Sequence, residues 1–358
     1  MPHDLIINPQ PTSMNPVAIR LLNQQLYSPQ FSTPEEVVAH LGAMQAQEYR
    51  LMRWAVSMRT KKPSSEAFRQ AFDSGRIVRL HLMRGTWQLV SGDDYWWMLD
   101  LLAEKSRRVI RGWMTANHIF IPDDERVRIR EIIARCVEDC GSATKEDFVN
   151  ALAAQGINMD DHRLSYHIRM AELSGILCSG KLLPMKATYS LAESRIPHRE
   201  PLDREEALAR LTRKYFLSRC PATLEDFVWW SGLSVRDCRK GISALSDELY
   251  SVKWHNREFF IHQDARHHGV RHGNLLLLPP YDEYLIGYKS RDIALPETHR
   301  HHAHNSSGIF YPIILRDGIA CGNWKPFEKQ MHCQPFDPAD NLEGIEMAWE
   351  KYQRYLGH

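Results

Sequence analysis

Two stretches of the chain repeat the same order of polar and apolar positions. The segments ATKEDFV (143–149) and ATLEDFV (222–228) share Ala-Thr-x-Glu-Asp-Phe-Val, and each follows an amphipathic helical pattern. Thr144 and Thr223 occupy N-cap positions, each with an aspartate three residues later, which is the spacing of a capping box. The repeat predicts two helices that begin in the same way.

After each repeat comes a third helical pattern with basic residues among apolar ones, at residues 162–173 and 236–245. Strand-like stretches follow, and the pairs Ser179-Gly180 and His255-Asn256 predict a turn at the centre of each. Three helices followed by a hairpin is the order of a winged helix, so the sequence predicts two such motifs in tandem.

The N-terminal part predicts a third unit of the same kind. Thr33 and Glu36 form another capping box, with Pro34 at the first helical position. The segment IVRLHLMRGTWQLV (77–90) alternates in hydrophobicity like a β-hairpin.

From Gly273 onward the pattern changes to short apolar runs broken by Pro, Gly and Asp-Gly. This pattern is typical of a small antiparallel barrel or sheet, with a strong hairpin turn at Asp317-Gly318. An amphipathic helix (342–356) ends the chain. We therefore predict an α+β fold of three tandem winged-helix motifs and a small C-terminal β-barrel. The predicted domains are residues 1–120, 121–200, 201–272 and 273–358.

The composition is that of a folded globular protein. Its 358 residues are 43% hydrophobic, which suffices for a sizeable core divided among two or three units. No stretch approaches about 18 consecutive apolar residues, and the N-terminus lacks the pattern of a secretory signal. Seven cysteines without a CxxC pair argue against a disulfide framework or a zinc ribbon. We expect a cytoplasmic protein that does not bind membranes.

The net charge of +1 conceals an uneven distribution. Residues 41–111 carry 13 basic and 7 acidic residues, whereas residues 331–358 carry two basic and five acidic residues. The asymmetry fits a surface that meets phosphate on one side, although ordinary solvated faces would give the same counts.

Four segments together resemble the AlkZ/YcaQ-type winged-helix DNA glycosylases. They are MQAQ (44–47), MRGTWQLV (83–90), LLPPYDEYLIGYKSR (277–291) and GIFYPIILRDGIACGNWKP (308–326). The resemblance implies that three winged helices and a small β-barrel form a concave DNA-binding surface. It also implies that a glutamine-x-glutamine motif, here Gln45 and Gln47, is essential for excising alkylated purines, including interstrand crosslinks in some members. A sibling branch has glutamine-x-aspartate, so this chain resembles the AlkZ-like branch.

We expect Gln45 and Gln47 to be catalytic and to lie on a helix. Residues i and i+2 of a helix point about 200° apart, so both reach one substrate only if the helix ends or is distorted there. An uncharged amide can hold a water and stabilise positive charge at C1′. That suffices for an N7- or N3-alkylated purine, which is already cationic and leaves readily. Glu48 is either a catalytic base or a partner of Arg50, Arg53 or another exposed cation.

Basic and aromatic residues near these segments are candidate DNA contacts. They are Arg50, Arg53, Arg84, Trp87, Tyr281, Arg300, His301 and His302. Arg84 binds a phosphate or forms an ion pair, and Trp87 stacks on a base or packs in the core. Tyr281 and Tyr284 could line the cleft, with core packing expected for at least one of them.

The histidine-rich segment THRHHAHNSSG (298–308) invites comparison with a metal site. No carboxylate or cysteine stands at a recognised ligand spacing, so we expect no metal. A cationic loop or hairpin that touches DNA fits the composition better, and Arg300 is its candidate contact. No phosphate-binding or dinucleotide-binding glycine motif is present in the sequence, so no cofactor is expected.

The sequence favours a monofunctional, metal-independent DNA glycosylase that acts as a monomer on double-stranded DNA with alkylated bases. The alternative is a noncatalytic winged-helix DNA-binding protein, such as a transcription regulator, which would read bases through an exposed helix. A third possibility is a lesion-sensing protein that keeps the fold without the catalysis.

Overall fold

Helices and strands are mixed along the chain, as the sequence predicts. The computed structural model describes residues 14–327, 330–340 and 342–357. The chain divides into two compact units, a first unit of residues 1–68 and 208–358 and a second unit of residues 69–207. The division of the sequence into four domains stays a prediction.

Short helices and strands alternate from the N-terminus to the C-terminus. The N-terminal elements are α1 (Pro16–Asn23), α2 (Pro34–Leu41), β1 (Ala43–Gln45), α3 (Met52–Ser57), α4 (Ser65–Asp73), β2 (Ile77–His81), β3 (Trp87–Ser91) and α5 (Gly92–Ala116). The central elements are α6 (Asp123–Cys140), β4 (Ala143–Thr144), α7 (Lys145–Ala153), α8 (Asp161–Leu173), β5 (Leu177–Ser179), β6 (Thr188–Leu191), α9 (Ala192–Arg195), α10 (Arg204–Arg219), α11 (Leu224–Ser231) and α12 (Val235–Ala244). The C-terminal elements are β7 (Leu249–Trp254), β8 (Arg257–His262), β9 (Leu275–Leu278), α13 (Glu283–Ile286), α14 (Arg300–Ala303), β10 (Ile313–Arg316), β11 (Ile319–Phe327), β12 (Gln330–Pro335) and α15 (Ile345–Leu356).

The predicted capping boxes are confirmed. Thr33, Thr144 and Thr223 each accept a hydrogen bond from the backbone N–H three residues later, and the acid at that position bonds back to the cap. Each box satisfies two backbone N–H groups that a helix start leaves without partners. The helices α2, α7 and α11 therefore begin where the local sequence predicts.

Two of the predicted turns are confirmed as two-residue hairpin turns. His255 and Asn256, between β7 and β8, both have positive φ, and so do Asp317 and Gly318, between β10 and β11. This backbone matches the right-handed twist of the flanking strands. The turn predicted at Ser179-Gly180 is wider, because β6 begins only at Thr188. The predicted hairpin of β2 and β3 is antiparallel, from Ile77 opposite Ser91 to His81 opposite Trp87.

The second unit contains the predicted order of three helices, α6 to α8, followed by the paired strands β5 and β6. Its core lies between these elements and includes Ile133, Phe148, Leu164, Ile168 and Tyr189. In the first unit the part of α10 from Leu208 onward, followed by α11 and α12, precedes the hairpin of β7 and β8. The element orders are those of the sequence prediction, and their assignment as winged helices stays a prediction.

The C-terminal strands form an antiparallel sheet in the order β12-β11-β10-β9. Among the described residues this sheet is open, which differs from the predicted closed barrel. Four strands are too few to close around a packed interior. The confirmed C-terminal helix α15 packs against the sheet, with the Tyr352 ring 5.3 Å from that of Trp324, and also against α3, with the same ring 5.1 Å from that of Trp54.

None of the helices in the described part of the chain combines the length and the apolar character needed to cross a bilayer.

Candidate active site

The glutamine segment is not helical, so the prediction of a helix around Gln45 and Gln47 is wrong. Helix α2 ends at Leu41, strand β1 covers Ala43–Gln45, and the chain stays non-helical until α3 begins. Between them Gly42 has φ +74°, and a Cβ there would lie 3.3 Å from that of Lys214. A residue with a side chain would be strained in this conformation, so the glycine permits the sharp exit from the helix.

This difference removes the geometric objection to the glutamine pair. On a helix the two side chains would diverge by about 200°. Only Gln45 belongs to the extended strand β1, and Gln47 follows it in a bend, so the helical divergence does not apply to the pair. The sequence pattern around Gln45 is apolar and compatible with a helix, but contacts with distant residues decide its conformation.

Those contacts come from a buried ion pair between Arg219, at the end of α10, and Glu283, at the start of α13. Arg219 Nη2 lies 2.7 Å from Glu283 Oε2, and both side chains are fully buried. Glu283 Oε1 accepts the backbone N–H of Gln45 at 2.7 Å. Arg219 donates to the carbonyl oxygens of Leu41 and Ala43, both at 2.8 Å. Both members of the ion pair thus form hydrogen bonds with main-chain groups between Leu41 and Gln45.

The second carboxylate oxygen of Glu283 is also occupied. Oε2 accepts from Arg219 Nε at 3.1 Å and from the indole Nε1 of Trp230 at 3.1 Å. The Arg219 guanidinium lies over the Trp230 ring, 4.5 Å from its centroid. A buried ion pair tolerates desolvation only when such additional bonds satisfy its remaining atoms, and this one meets that condition.

A second buried ion pair lies next to the first in sequence. Asp282 accepts from both terminal nitrogens of Arg59, at 2.7 and 2.9 Å, in a bidentate arrangement. Asp282 also accepts the backbone N–H of Tyr284 at 2.9 Å, which caps α13. Helix α3 is fixed on the same side, because the indole of Trp54 donates to the carbonyl of Leu277 at 2.7 Å. Strand β1 and the region of α3 are therefore both attached to residues 277–284.

The two glutamines differ in exposure. Gln45 is 6% exposed, whereas Gln47 is exposed to solvent. The side chain of Gln45 therefore lies on the buried side of the segment, and that of Gln47 lies on the side that faces solvent.

Glu48 acts on its own main chain. Its carboxylate accepts the backbone N–H of Arg50 at 3.2 Å and of Leu51 at 3.4 Å, and Arg50 Nε lies 3.7 Å away. These bonds precede the first turn of α3 and pair the carboxylate with Arg50, one of the partners considered from the sequence. Arg53 is half-buried, with its guanidinium 5.1 Å from the centroid of the Tyr49 ring.

The two tyrosines of PPYDEY have different surroundings. Tyr284 is buried and donates its hydroxyl to the carbonyl of Gly318 at 3.0 Å, so it is a core residue. Tyr281 is half-buried, 5.9 Å from the ring of Phe310, and burial raises its pKa. Its backbone has φ +58°, a strained conformation for a residue with a side chain.

Arg300 lines a cavity of about 690 Å³ in the first unit. The other charged residues and histidine around it are Glu225, Asp226, Arg239, Arg257, Glu258, Lys289, Arg291 and His304. Arg257 and Arg300 form exposed ion pairs with Asp292 and Glu297. We call this the basic cavity. Neither Gln45 nor Gln47 is among its lining residues.

The segment that carries Arg300, His301 and His302 is helical, so the predicted loop or hairpin is wrong. These residues form α14, one turn that follows a 3₁₀ turn. The His302 ring stacks on Phe336 at 5.0 Å, and that of His301 lies 3.9 Å from His302. No group of three or more metal-ligating side chains is placed to hold an ion within the described residues.

Arg84 and Trp87 belong to the second unit, whereas the other predicted contacts belong to the first. Trp87 is half-buried, with the Arg79 guanidinium 4.2 Å from its ring centroid and the His81 ring 4.0 Å away. Arg84 stands in the connection between β2 and β3 with φ +56°.

Sequence reasoning missed the residues that hold the glutamine segment. Glu283 lies in a motif whose tyrosines alone drew attention, and Arg219 lies at the end of an amphipathic helix more than 170 residues from Gln45. A charged pair within the otherwise apolar run LLPPYDEYLIG was the available signal, because unpaired charges are almost never fully buried.

The comparisons with known proteins all match DNA glycosylases. The family model described as DNA glycosylase AlkZ-like matches residues 38–355. An Interstrand DNA cross-link repair glycosylase from Streptomyces sahachiroi is 24% identical over 326 residues, covering 86% of each chain. The solved structure of the Streptomyces sahachiroi DNA glycosylase AlkZ is similar with a TM-score of 0.76 at 22% identity, covering 96% of each chain.

Proposed function

Because the chain belongs to the AlkZ-like DNA glycosylase family, we propose that it hydrolyses the N-glycosidic bond of N7- and N3-alkylated purines in double-stranded DNA. The relative from Streptomyces sahachiroi is named for interstrand cross-link repair. We include the alkylated purines of such crosslinks among the proposed substrates.

The proposed reaction uses one water and no cofactor or metal. The bond between C1′ and the cationic base breaks, and the base takes the bonding electrons and leaves neutral. A water oxygen bonds to C1′ and loses a proton to solvent, which leaves an abasic site. Because the leaving group carries its positive charge beforehand, the reaction needs stabilisation of charge at C1′ more than it needs a strong base.

The proposal rests on the hydrogen bonds by which Arg219 and Glu283 fix the main chain around β1. Dipoles stabilise a transition state best when they are fixed before the reaction, since they then need no reorganisation. We assign to the exposed Gln47 the holding of the water. The buried Gln45 supplies a fixed amide dipole at the floor of the site.

Glu48 is not the base in this proposal. Its carboxylate already accepts two backbone N–H groups and faces Arg50. A general base must reach the water that it deprotonates, and these bonds orient Glu48 toward its own chain.

The proposed contacts with DNA include Arg50 beside the glutamines and the basic cavity. The side chains of Arg239 and Lys289 have no hydrogen-bond or ion-pair partner among the residues that the structure describes. Cationic groups of this kind can bind phosphates and release the counterions of DNA.

Replacement of the glutamines tests the proposal. A duplex with one N7-methylguanine is incubated with the protein and then treated with hot alkali, which breaks the strand only at an abasic site. We expect the double replacement of Gln45 and Gln47 by Ala to abolish cleavage. The single change Gln47→Ala should lower the cleavage rate by more than its effect on DNA binding accounts for. Borohydride should trap no covalent adduct, because no lysine nucleophile takes part.

The matched control is Gln263→Ala, which removes an exposed glutamine of the same unit. It should cleave like the unaltered protein. Cleavage retained by the folded double variant would reject the glutamine assignment. Lesion binding without cleavage by the unaltered protein would favour the noncatalytic DNA binder.

A further inference from the structure

A second cavity lies wholly within the second unit, between the C-terminal part of α5 and the helix α8. Its volume is about 510 Å³, within the roughly 300–1,000 Å³ typical of small-ligand sites. Its walls are formed by residues 109–121, by one face of α8, and by Arg84 and Gly85. We call it the α5/α8 cavity.

One wall of the α5/α8 cavity is apolar and open to solvent. Trp113 is 57% exposed, Val109 56% and Ile119 38%, and all three line the cavity. Tyr166 of α8 lines it as well. On an ordinary protein surface, exposed large apolar side chains are scattered singly. Several of them clustered at a concave surface mark a binding site.

The other wall carries positive charge. Its guanidinium groups belong to Arg84, Arg163 and Arg169, and its acid is Asp160. Asp160 is engaged at the start of α8, where it accepts the backbone N–H of Arg163 at 2.9 Å. Arg163 itself pairs with Glu125.

Arg169 stands out among these groups. Its Nε is buried, and it has no hydrogen-bond partner within the described part of the chain. A buried donor without a partner costs free energy unless a ligand satisfies it. The guanidinium of Arg169 therefore offers a bond that a ligand in the cavity can complete.

The backbone at Arg84 supports the same conclusion. Arg84 has φ +56° and Gly85 has φ +71°. Left-handed backbone at a residue with a side chain is strained, and such strain clusters at ligand-binding positions. A Cβ at Gly85 would meet nothing within 4 Å, so space beside Arg84 remains open to a ligand.

We propose that the α5/α8 cavity binds one unstacked nucleotide of a DNA strand. The base lies against Trp113 and the apolar wall, and its phosphate faces Arg84 and Arg169. Aromatic rings beside cationic groups are the chemistry that binds single-stranded nucleic acid, because every base has a face that stacks. The inference rests on the proposed function in taking DNA as the substrate, and it adds a contact outside the unit that carries the glutamines.

Charge and position favour a nucleotide over an apolar peptide. A peptide helix would cover the apolar wall without using Arg84 or Arg169. A nucleotide uses both walls, since a phosphate accepts charge-assisted bonds from guanidinium groups. In addition, α8 is the third helix of a predicted winged helix, the element that such motifs turn toward DNA.

The test measures binding of an undamaged single-stranded decanucleotide by fluorescence anisotropy. The variants are Trp113→Ala and Arg169→Gln in the full-length protein, and we expect each to weaken binding by about tenfold. Trp113→Phe should restore most of the affinity. Phe120→Ser is the control, because Phe120 is an exposed aromatic neighbour that does not line the cavity, and it should bind like the unaltered protein.

A second oligonucleotide with abasic sites separates the base from the phosphate. Trp113→Ala should have little effect on this probe, whereas Arg169→Gln should weaken both probes. Equal affinities of Trp113→Ala, Arg169→Gln and the control for the normal strand would overturn the inference. So would equal competition by a glutamate-rich peptide of the same charge.

Failure of this inference is distinguishable from failure of the proposed function. The decanucleotide carries no lesion, so its binding does not depend on base release. Cavity-dependent binding by a protein that releases no alkylated base would leave the cavity assigned and the glycosylase reaction rejected. Base release with cavity-independent binding would do the reverse.

Discussion

Glu283 is the residue whose contacts bear most directly on the glutamine segment. It accepts the backbone N–H of Gln45 and neutralises Arg219 in a fully buried site. The change Glu283→Gln leaves the Arg219 charge buried without compensation. We expect the free energy of unfolding to fall by about 3–5 kcal/mol, measured by urea denaturation with circular dichroism.

Asp292→Asn is the control for this prediction, because it removes the partner of Arg257 in a partly exposed ion pair. Its effect should stay within about 1 kcal/mol. Equal effects of the two variants would show that the buried pair does not hold β1.

The sequence left two roles open for Glu48, that of a catalytic base and that of an ion-pair partner. If it only caps its own chain and pairs with Arg50, Glu48→Gln should change the single-turnover rate of N7-methylguanine release by less than about tenfold. Loss of a general base costs about 10²–10⁴-fold, so a loss of that size would make Glu48 catalytic.

His40 should make stability depend on pH. Burial lowers the pKa of its imidazole to about 4, from an ordinary value of 6.5, and the ring bonds to the carbonyl of Asn23 at 2.7 Å. The unfolded chain therefore binds a proton more readily, and stability from this residue is lost as the pH falls from about 6.5 to 4. Over this range the free energy of unfolding should fall by at most about 1.4 kcal/mol per pH unit because of this residue.

The measurement compares denaturation of the unaltered protein and of His40→Gln across this range. The glutamine keeps a neutral donor toward Asn23, so the difference between the two curves isolates the titration. Parallel curves would contradict the assignment, since other buried histidines contribute equally to both.

Among the elements, those with local signals were predictable from the sequence. A threonine with an acid three residues on specifies where α2, α7 and α11 begin, because the bonds form within one turn. Asp317-Gly318 specifies a turn for the same reason. The strand β1 was not predictable, because Arg219 and Glu283 hold it from distant parts of the chain.

The turn at Gly318 makes a prediction at this scale. Gly318 has φ +85°, and a Cβ there would lie 2.3 Å from Val17 Cγ1 and 2.9 Å from the Tyr284 hydroxyl. Gly318→Ala therefore combines backbone strain with a clash in the core, and we expect a loss of at least about 2 kcal/mol in unfolding free energy.

Gly308→Ala is the matched variant. Gly308 has φ +78° with nothing within 4 Å of its added Cβ, so only the backbone strain of about 1 kcal/mol applies. Urea denaturation of both variants gives the comparison. Equal losses would mean that the contacts of Gly318 with Val17 and Tyr284 do not matter.

For the whole molecule, the sequence predicted the mixture of helices and strands but not how the C-terminal sheet ends. Alternation along a strand shows which face is buried and does not show what covers it. Here Tyr352 of α15 packs on Trp324, a contact across nearly 30 residues that no local pattern specifies. Closure of a barrel depends in the same way on pairing between distant strands.

DNA binding is also a property of the whole molecule, because the net charge is only +1. We expect weak nonspecific affinity that falls with salt. The changes Lys289→Gln and Arg239→Gln should each lower the slope of log K against log salt by about 1 if the basic cavity meets phosphates. Filter binding of undamaged duplex at several salt concentrations measures the slope.

Lys186→Gln is the control, because Lys186 is exposed and paired with Glu146 outside the basic cavity. An unchanged slope in the two cavity variants would remove the basic cavity from the DNA contacts.

Arg219 and Glu283 bind the peptide groups of Leu41, Ala43 and Gln45, and the Gln47 side chain is exposed to solvent. The side chain at position 47 can therefore be changed while these main-chain bonds remain. Under the proposed function, Gln47→Asp, which gives a glutamine-x-aspartate motif, should leave the free energy of unfolding unchanged and alter only the rate of base release.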